Sequence, residues 1–223
     1  MASWFTHNKG GARMIWQDYI PADIRGLYEI HDFHHATAIL AKEFPAEFGE
    51  VCAALRAFRL TVEDVRAAWG NESAIPKRFS SILRPLGWKE QQLTAEHRVD
   101  GEVLNITTHW VDYIKGRVAF DLEWNSKDQT FDRDLYAFRA FFEYGKISVG
   151  ILVTRSDELE PWFGTLGDVT DKHGATRPVK AKYGAATTRM GKLLPRLAAG
   201  RHDGCPVLVF GITTKLLKEG QRR

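Results

Sequence analysis

Residues 111–124 read VDYIKGRVAFDLEW, and the alternation in this stretch decides the fold. From Arg117 to Trp124 the period is two. Val118, Phe120, Leu122 and Trp124 fall on one face of an extended strand, and Ala119, Asp121 and Glu123 on the other. Lys115-Gly116 upstream is a tight-turn signal. With those two residues at the centre of the turn, Ile114 pairs with Arg117 and Asp112 with Ala119. Asp112 then shares a face with Asp121 and Glu123 and is the diagonal neighbour of Asp121, roughly 7–8 Å away between Cα atoms. A one-residue slip in the turn would send Asp112 to the opposite face.

Three carboxylates converging on one patch repel one another unless a cation lies among them. Magnesium prefers such hard oxygen ligands. Held there, it can polarise a phosphoryl oxygen, activate water and neutralise a leaving oxygen. The alternative is a solvated acidic face that binds nothing.

Working outward, the segments before the hairpin read as helical. Apolar residues recur at helical spacing over 32–43 and 46–58, separated by Pro45. A third helix is expected over about 62–69, with Thr61 as N-cap, Asp64 three residues later and Gly70 past its end. From about residue 91 the period becomes two. QLTAEHRV, then Asp100-Gly101, then EVLNITTHWVDY reads as a hairpin closed by a primed turn. Residues 132–145 return to helical spacing, with Thr130 or Asp132 as N-cap. SVGILVTR (148–155) reads as a strand buried on both faces, and 156–186 as mostly loop. A helix over 188–200, interrupted by Pro195, and a final strand over 205–212 complete the chain. The expected organisation is one α/β domain over residues 1–223, helical to about 90 and sheet-forming over about 91–212.

The 223 residues suffice for a sizeable core, and 44% hydrophobic with 26% charged residues is ordinary for a globular protein. No run of 18 apolar residues occurs, so no membrane-spanning helix is expected. The N-terminus lacks the apolar stretch of a leader, which implies a cytoplasmic chain. Cys52 and Cys205 are read as reduced thiols. His31, His34 and His35 lack a zinc partner set and read as a helix surface. Net charge is only +3, but eight Lys or Arg and no acid lie between Lys172 and Arg201. Such a block is either a solvated face or an anion-binding surface.

Asp112, followed nine residues later by Asp121-Leu122-Glu123 and then by a helix and a buried strand, resembles the PD-(D/E)xK nuclease fold. The match is closer to the type II restriction endonucleases related to BglII, BstYI and BamHI. Ile75-Pro76-Lys77-Arg78-Phe79 and the run from Asp112 to Glu123 carry it, about a third of the chain. The resemblance implies a restriction-endonuclease-like mixed sheet flanked by helices. It implies Mg²⁺ on Asp112 and Asp121, with Glu123 either a third ligand or the base that takes a proton from the attacking water. Glu123 stands where the wider fold has lysine, a departure that this branch tolerates. Glu72 falls where the branch has an auxiliary acid, although about forty residues separate it from Asp112. Hydrolysis of double-stranded DNA by a twofold homodimer, leaving 5′-phosphate and 3′-hydroxyl ends, would follow.

Candidate DNA contacts complete this reading. Asn125, Ser126 and Lys127 follow the catalytic strand and could meet base edges. Lys77 and Arg78 could hold a phosphate, and Lys180, Lys182, Arg189 and Lys192 of the basic block could supply further backbone contacts. Thr187 and Thr188 sit at an expected helix start, where free N–H groups favour phosphate. Two rivals remain: a DNA-binding protein that keeps the fold without cutting, and a glycosidase-type hydrolase using a carboxylate pair.

Overall fold

The computed structural model describes residues 15–67, 73–170 and 173–218. Its centre is a six-stranded mixed sheet. The strands are β1 (Tyr28–Phe33), β2 (Lys89–Gln91), β5 (Val111–Lys115), β6 (Val118–Glu123), β7 (Val149–Arg155) and β10 (Val207–Ile212), in spatial order β1-β10-β7-β6-β5-β2. β6, β7 and β10 run parallel, and β1, β5 and β2 are antiparallel to their neighbours. Two short hairpins stand apart from this sheet, β3 (Thr94–Val99) with β4 (Glu102–Thr107) and β8 (Asp168–Thr170) with β9 (Thr176–Pro178). The helices are α1 (Ala22–Leu27), α2 (Ala36–Glu43), α3 (Pro45–Ala57), α4 (Val62–Arg66), α5 (Ala74–Leu83), α6 (Thr130–Glu143), α7 (Leu159–Phe163), α8 (Val179–Lys182) and α9 (Met190–Ala198). No helix among the described residues is long and apolar enough to cross a membrane.

The alternation of β6 separates two cores. Val118, Phe120, Leu122 and Trp124 face the larger one, where Phe120 meets Phe79 of α5 at 5.8 Å between ring centroids. Ala119 faces the smaller one, built by Phe131, Leu135, Phe138 and Phe141 of α6 and by Leu193 and Leu197 of α9. The IPKRF segment therefore lies on α5, and its Ile75 and Phe79 pack beneath the hairpin. β7 is buried along its whole length, as its continuous apolar run requires.

Several sequence expectations need correction. The helix expected over 32–43 begins only at Ala36; residues 28–33 form the edge strand β1. His34 and His35 have positive φ and turn the chain between them, and His31 on β1 pairs with Glu29 at 2.8 Å. The stretch 102–113 is not one strand. The chain breaks after Thr107, where the Thr108 hydroxyl donates to the His109 carbonyl and accepts the Leu93 N–H, and resumes as β5 in the central sheet. The Asp100-Gly101 turn is as expected, with φ of 51° and 89° and Val99 opposite Glu102. The Thr61–Asp64 capping box is present, although α4 ends at Arg66 and Gly70 lies outside the described residues. α6 starts earlier than expected, with Gln129 at its N-cap, and α9 starts later, with Arg189 there. Residues 156–186 hold α7, the β8–β9 hairpin and α8 rather than loop alone. Both cysteines are buried and unpaired.

Glycine matters where β7 passes under α6. A Cβ at Gly150 would lie 2.4 Å from Cδ2 of the buried Phe138 ring. Gly150→Ala is expected to cost about 1–3 kcal/mol through overpacking, lowering Tm by about 2–4 °C for each kcal/mol at this chain length. Thermal and urea unfolding would check it; a variant melting with the wild type would mean that α6 can back away freely.

Candidate active site

The hairpin register differs from the sequence expectation by one step at each strand. Lys115 pairs with Val118, Ile114 with Ala119 and Tyr113 with Phe120, so Gly116-Arg117 forms the turn, with Gly116 at φ 55°. Continued by one residue, this register sets Asp112 directly opposite Asp121. Because both strands shift together, the face of each side chain is unchanged. The Asp112 N–H donates to Asp121 Oδ1 at 2.7 Å, and the Leu122 N–H donates to Asp112 Oδ2 at 3.3 Å. The two carboxylates are thus gripped by each other's strand.

The hairpin is anchored at both ends. Lys115 Nζ at the turn end reaches Glu50 of α3 at 2.5 Å, and Trp88 Nε1 donates to the same carboxylate at 2.8 Å. At the far end the Thr154 hydroxyl of β7 donates to the Glu123 carbonyl at 2.8 Å. The sequence did not announce the fourth acid, Asp134 of α6, which is only 3% exposed. Asp134 lies on the apolar side of its helix, three residues from Phe131 and four from Phe138. An aspartate at that spacing in an otherwise apolar stripe was the available signal.

Burial sets the electrostatics. Asp121 is held well above the usual carboxylate range, first by burial and then by the charges of Asp112 and Glu123. Burial raises Asp112, with Glu90 of β2 adding to it. Glu123 is pushed up to about 7, chiefly by burial, although a hydrogen bond from Ser126 works the other way. Asp134 is also well above its ordinary range, again by burial first and then by Asp121, Glu123 and Asp112. Asp121 Oδ2, Glu123 Oε2 and Asp134 Oδ2 are buried without a hydrogen-bond partner. Such oxygens are costly in a folded protein and mark a place where something else binds.

A divalent cation fits that donor set. Among the described residues no three His, Cys, Asp or Glu side chains are gathered closely enough to enclose an ion by themselves. Magnesium does not require such a cage, since it is usually held by one or two carboxylates with substrate phosphate and water completing the shell. The orphaned oxygens of Asp121 and Glu123 can supply the protein's share. Glu72 lies outside the described residues; the acid whose charge acts on Asp112 from a neighbouring strand is Glu90.

The expected DNA contacts fare unevenly. Asn125, Ser126 and Lys127 continue from β6, and backbone bonds from Thr188 N–H to Ser126 and from Asp128 N–H to Ala186 join this loop to residues 186–188. The two proposed reading segments are therefore one surface. Ser126 and Lys127 are exposed, while Asn125 Oδ1 is buried without a partner. Lys77 and Lys180 are exposed. Several candidates make contacts within the fold. Arg78 pairs with the capping Asp64 at 2.6 and 2.7 Å and also donates to the Arg59 carbonyl. Arg189 pairs with Asp157 at 2.7 Å, Lys192 with Asp128 at 3.6 Å, and Lys182 donates to the Ala67 carbonyl at 2.7 Å. Thr188 is fully buried, and neither threonine begins a helix. The Thr187 hydroxyl accepts from Arg155 at 2.5 Å and donates to the Gly184 carbonyl.

Arg155 explains that geometry. It is buried, lies against the rings of Phe163 and Tyr183, and donates to the Thr188 and Tyr183 carbonyls. Burial lowers it to about 10, so it stays charged at neutral pH. One cation from β7 holds the 183–188 segment in place.

The raised carboxylates have a thermodynamic signature. A carboxyl whose folded pKa exceeds its unfolded value favours folding while protonated, and that stability is lost as pH rises between the two values. For Glu123 the window runs from 4.5 to about 7. Metal-free wild type should therefore lose stability relative to Glu123→Gln across that window, with a constant gap above it. Mg²⁺ should raise Tm more at pH 8 than at pH 5. Thermal melts of both proteins with and without Mg²⁺ would test this, and parallel pH profiles would remove Glu123 from the cluster.

No curated protein matches the chain significantly. A family model described as "Restriction endonuclease BglII/BglIII" matches residues 28–212, from the first residue of β1 to the last of β10. The match takes in the whole central sheet, the acidic β5–β6 hairpin and α6. The six-stranded mixed sheet flanked by helices accords with the restriction-endonuclease fold of that family. The chain belongs to the BglII/BglIII restriction endonuclease family and is a site-specific deoxyribonuclease that binds double-stranded DNA.

Proposed function

We propose that this enzyme is a type II restriction endonuclease that hydrolyses phosphodiester bonds at a short, near-palindromic double-stranded sequence, using Mg²⁺ held at Asp112 and Asp121, with Glu123 either a further ligand or the base that takes the water proton. The observation that carries this reading is the pair of buried, unpartnered oxygens on Asp121 and Glu123 beside Asp112. The cation would supply charge to the phosphoryl oxygens and to the leaving oxygen.

The chain's own groups account for the rest. Asp112 and Asp121 are fixed by the hairpin's backbone N–H groups, so little reorganisation accompanies cation binding. Where Glu123 is not a ligand, its buried, unpartnered Oε2 is placed to take the proton of the attacking water. A water oxygen bonds to phosphorus as the bond to the 3′ oxygen breaks. The water proton passes to Glu123, and the leaving oxygen takes a proton from solvent, giving 5′-phosphate and 3′-hydroxyl ends. Asn125, Ser126 and Lys127, with the adjoining 186–188 segment, would meet bases, while Lys77 and Lys180 would meet backbone phosphates.

Residues 1–223 are read as one nuclease domain, working as a twofold homodimer on a twofold site. Exposed Tyr144 meets His97 of the β3–β4 hairpin, which also exposes Val99, Val103 and Leu104, an apolar surface suited to a partner copy. Sedimentation equilibrium should return twice the chain mass. A monomer at micromolar concentration, with and without DNA, would remove this part of the reading.

Incubation with supercoiled plasmid should give discrete bands with Mg²⁺ and none with EDTA. Asp121→Ala should lose detectable cutting yet bind the same DNA in Ca²⁺ with near wild-type affinity. Plasmid bound but never nicked by the wild type would point to a binding protein instead, and wild-type turnover by Asp121→Ala would take that residue out of the site.

A further inference from the structure

Beside the carboxylates lies a cleft of about 440 Å³ lined by Thr107, Thr108, His109, Asp132, Arg133 and Tyr136. It adjoins the acid cluster through the chain: Arg133 immediately precedes Asp134 on α6, and His109 lies three residues before Asp112, just ahead of β5. A phosphodiester approaching four carboxylates, two buried and two half-buried, meets repulsion that a cation on the protein side must offset.

Most cations near this face are committed. Arg189 is taken by Asp157 and Lys192 by Asp128. Arg196 is divided between Asp132 and Asp128, and Arg201 also pairs with Asp132. Asp132 is thereby neutralised, so its carboxylate does not bar an anion from the cleft. The Thr108 hydroxyl is held within the backbone between Leu93 and His109. Arg133 differs. It is exposed, its guanidinium donates to the Thr130 hydroxyl at 3.1 Å, and among the described residues it makes no ion pair.

We propose that Arg133, from the first turn of α6, binds a non-bridging oxygen of the scissile phosphate and stabilises the charge that builds there during cleavage. The inference rests on the nuclease reading above. The planar fork of a guanidinium can donate two N–H bonds to a phosphate, which an ammonium cannot match. Its neighbour Asp134 points the other way, into the buried cluster, so the first turn of α6 supplies a cation to the cleft and an acid to the site. Arg133 gives up no proton. It adds charge and orientation while the water oxygen displaces the 3′ oxygen.

The test uses the full-length enzyme and a short duplex carrying a site mapped from a wild-type plasmid digest. In single turnover with enzyme in excess, Arg133→Gln should slow cleavage by about 10²–10³-fold, the loss typical for one charge-directed donor. Its Ca²⁺-supported affinity for the duplex should change only a few-fold and its Tm should hold. Arg133→Lys should recover part of the rate, and free guanidinium should partly rescue Arg133→Ala. A rate within a few-fold of wild type for Arg133→Gln, or a loss matched by equal losses of affinity or melting temperature with no guanidinium rescue, would overturn the proposal. A wild type that never cuts with any divalent cation would bring down the nuclease reading and this inference together.

Discussion

Asp112 and Asp121 face each other across one antiparallel step, each held by an N–H of the opposite strand, with Asp121 buried and Asp112 half-buried. Two like charges in that position work against folding, and Glu123 and Asp134 add to the cost. Much of the surrounding architecture can be understood as holding this arrangement together. Lys115 and Trp88 pin the turn end to Glu50, Thr154 pins the other end, and two apolar cores clamp β6 from both faces. The stability comes from those cores, and the site is where the fold gives some of it up for binding.

The shared face of the three hairpin acids was legible in the sequence because a face depends only on parity. The expected turn was off by one residue on each side, which moved every pairing by two in sum. Asp112 therefore changed partner from Ala119 to Asp121 and kept its face. A single-strand slip would have broken the site, so the reading succeeded through the symmetry of its own error. Asp134 is not legible in this way, because helical periodicity singles out apolar residues and an acid within the apolar stripe does not alter the helix it marks. The end of β1 is not legible because residues 32–43 satisfy helical spacing locally, while strand and helix are divided at His34 and His35, both of positive φ.

The basic block teaches the opposite lesson. Lys172 to Arg201 contains no acid, which suggested a surface free to meet phosphate. In the fold, distant acids answer most of it: Asp157 binds Arg189, Asp128 and Asp132 bind Lys192, Arg196 and Arg201, and a carbonyl of α4's C-terminal end binds Lys182. Local charge runs carry no information about partners thirty or sixty residues away. The IPKRF stretch behaves similarly. Its resemblance is real at the level of the family, yet Ile75 and Phe79 serve packing, and Arg78 serves the cap of α4.

What the fold adds is a direct mechanical link between the acids and the surface proposed to read bases. β6 runs from Asp121 through Glu123 straight into Asn125–Asp128, and that loop is laddered to 186–188, which Arg155 of the adjacent strand β7 holds. Ser126 stands near enough to Glu123 to lower its proton affinity. The same short segment thus adjoins both the proposed proton acceptor and the proposed groove surface. If a wrong base pair pushes this loop outward, Ser126 and Glu123 move with it. Displacements of about 1 Å at a reacting group can cost on the order of 10²-fold in rate. Sequence discrimination in this enzyme need not come from binding alone; the short path from loop to carboxylate lets a poor fit at the bases be felt at the bond to be cut.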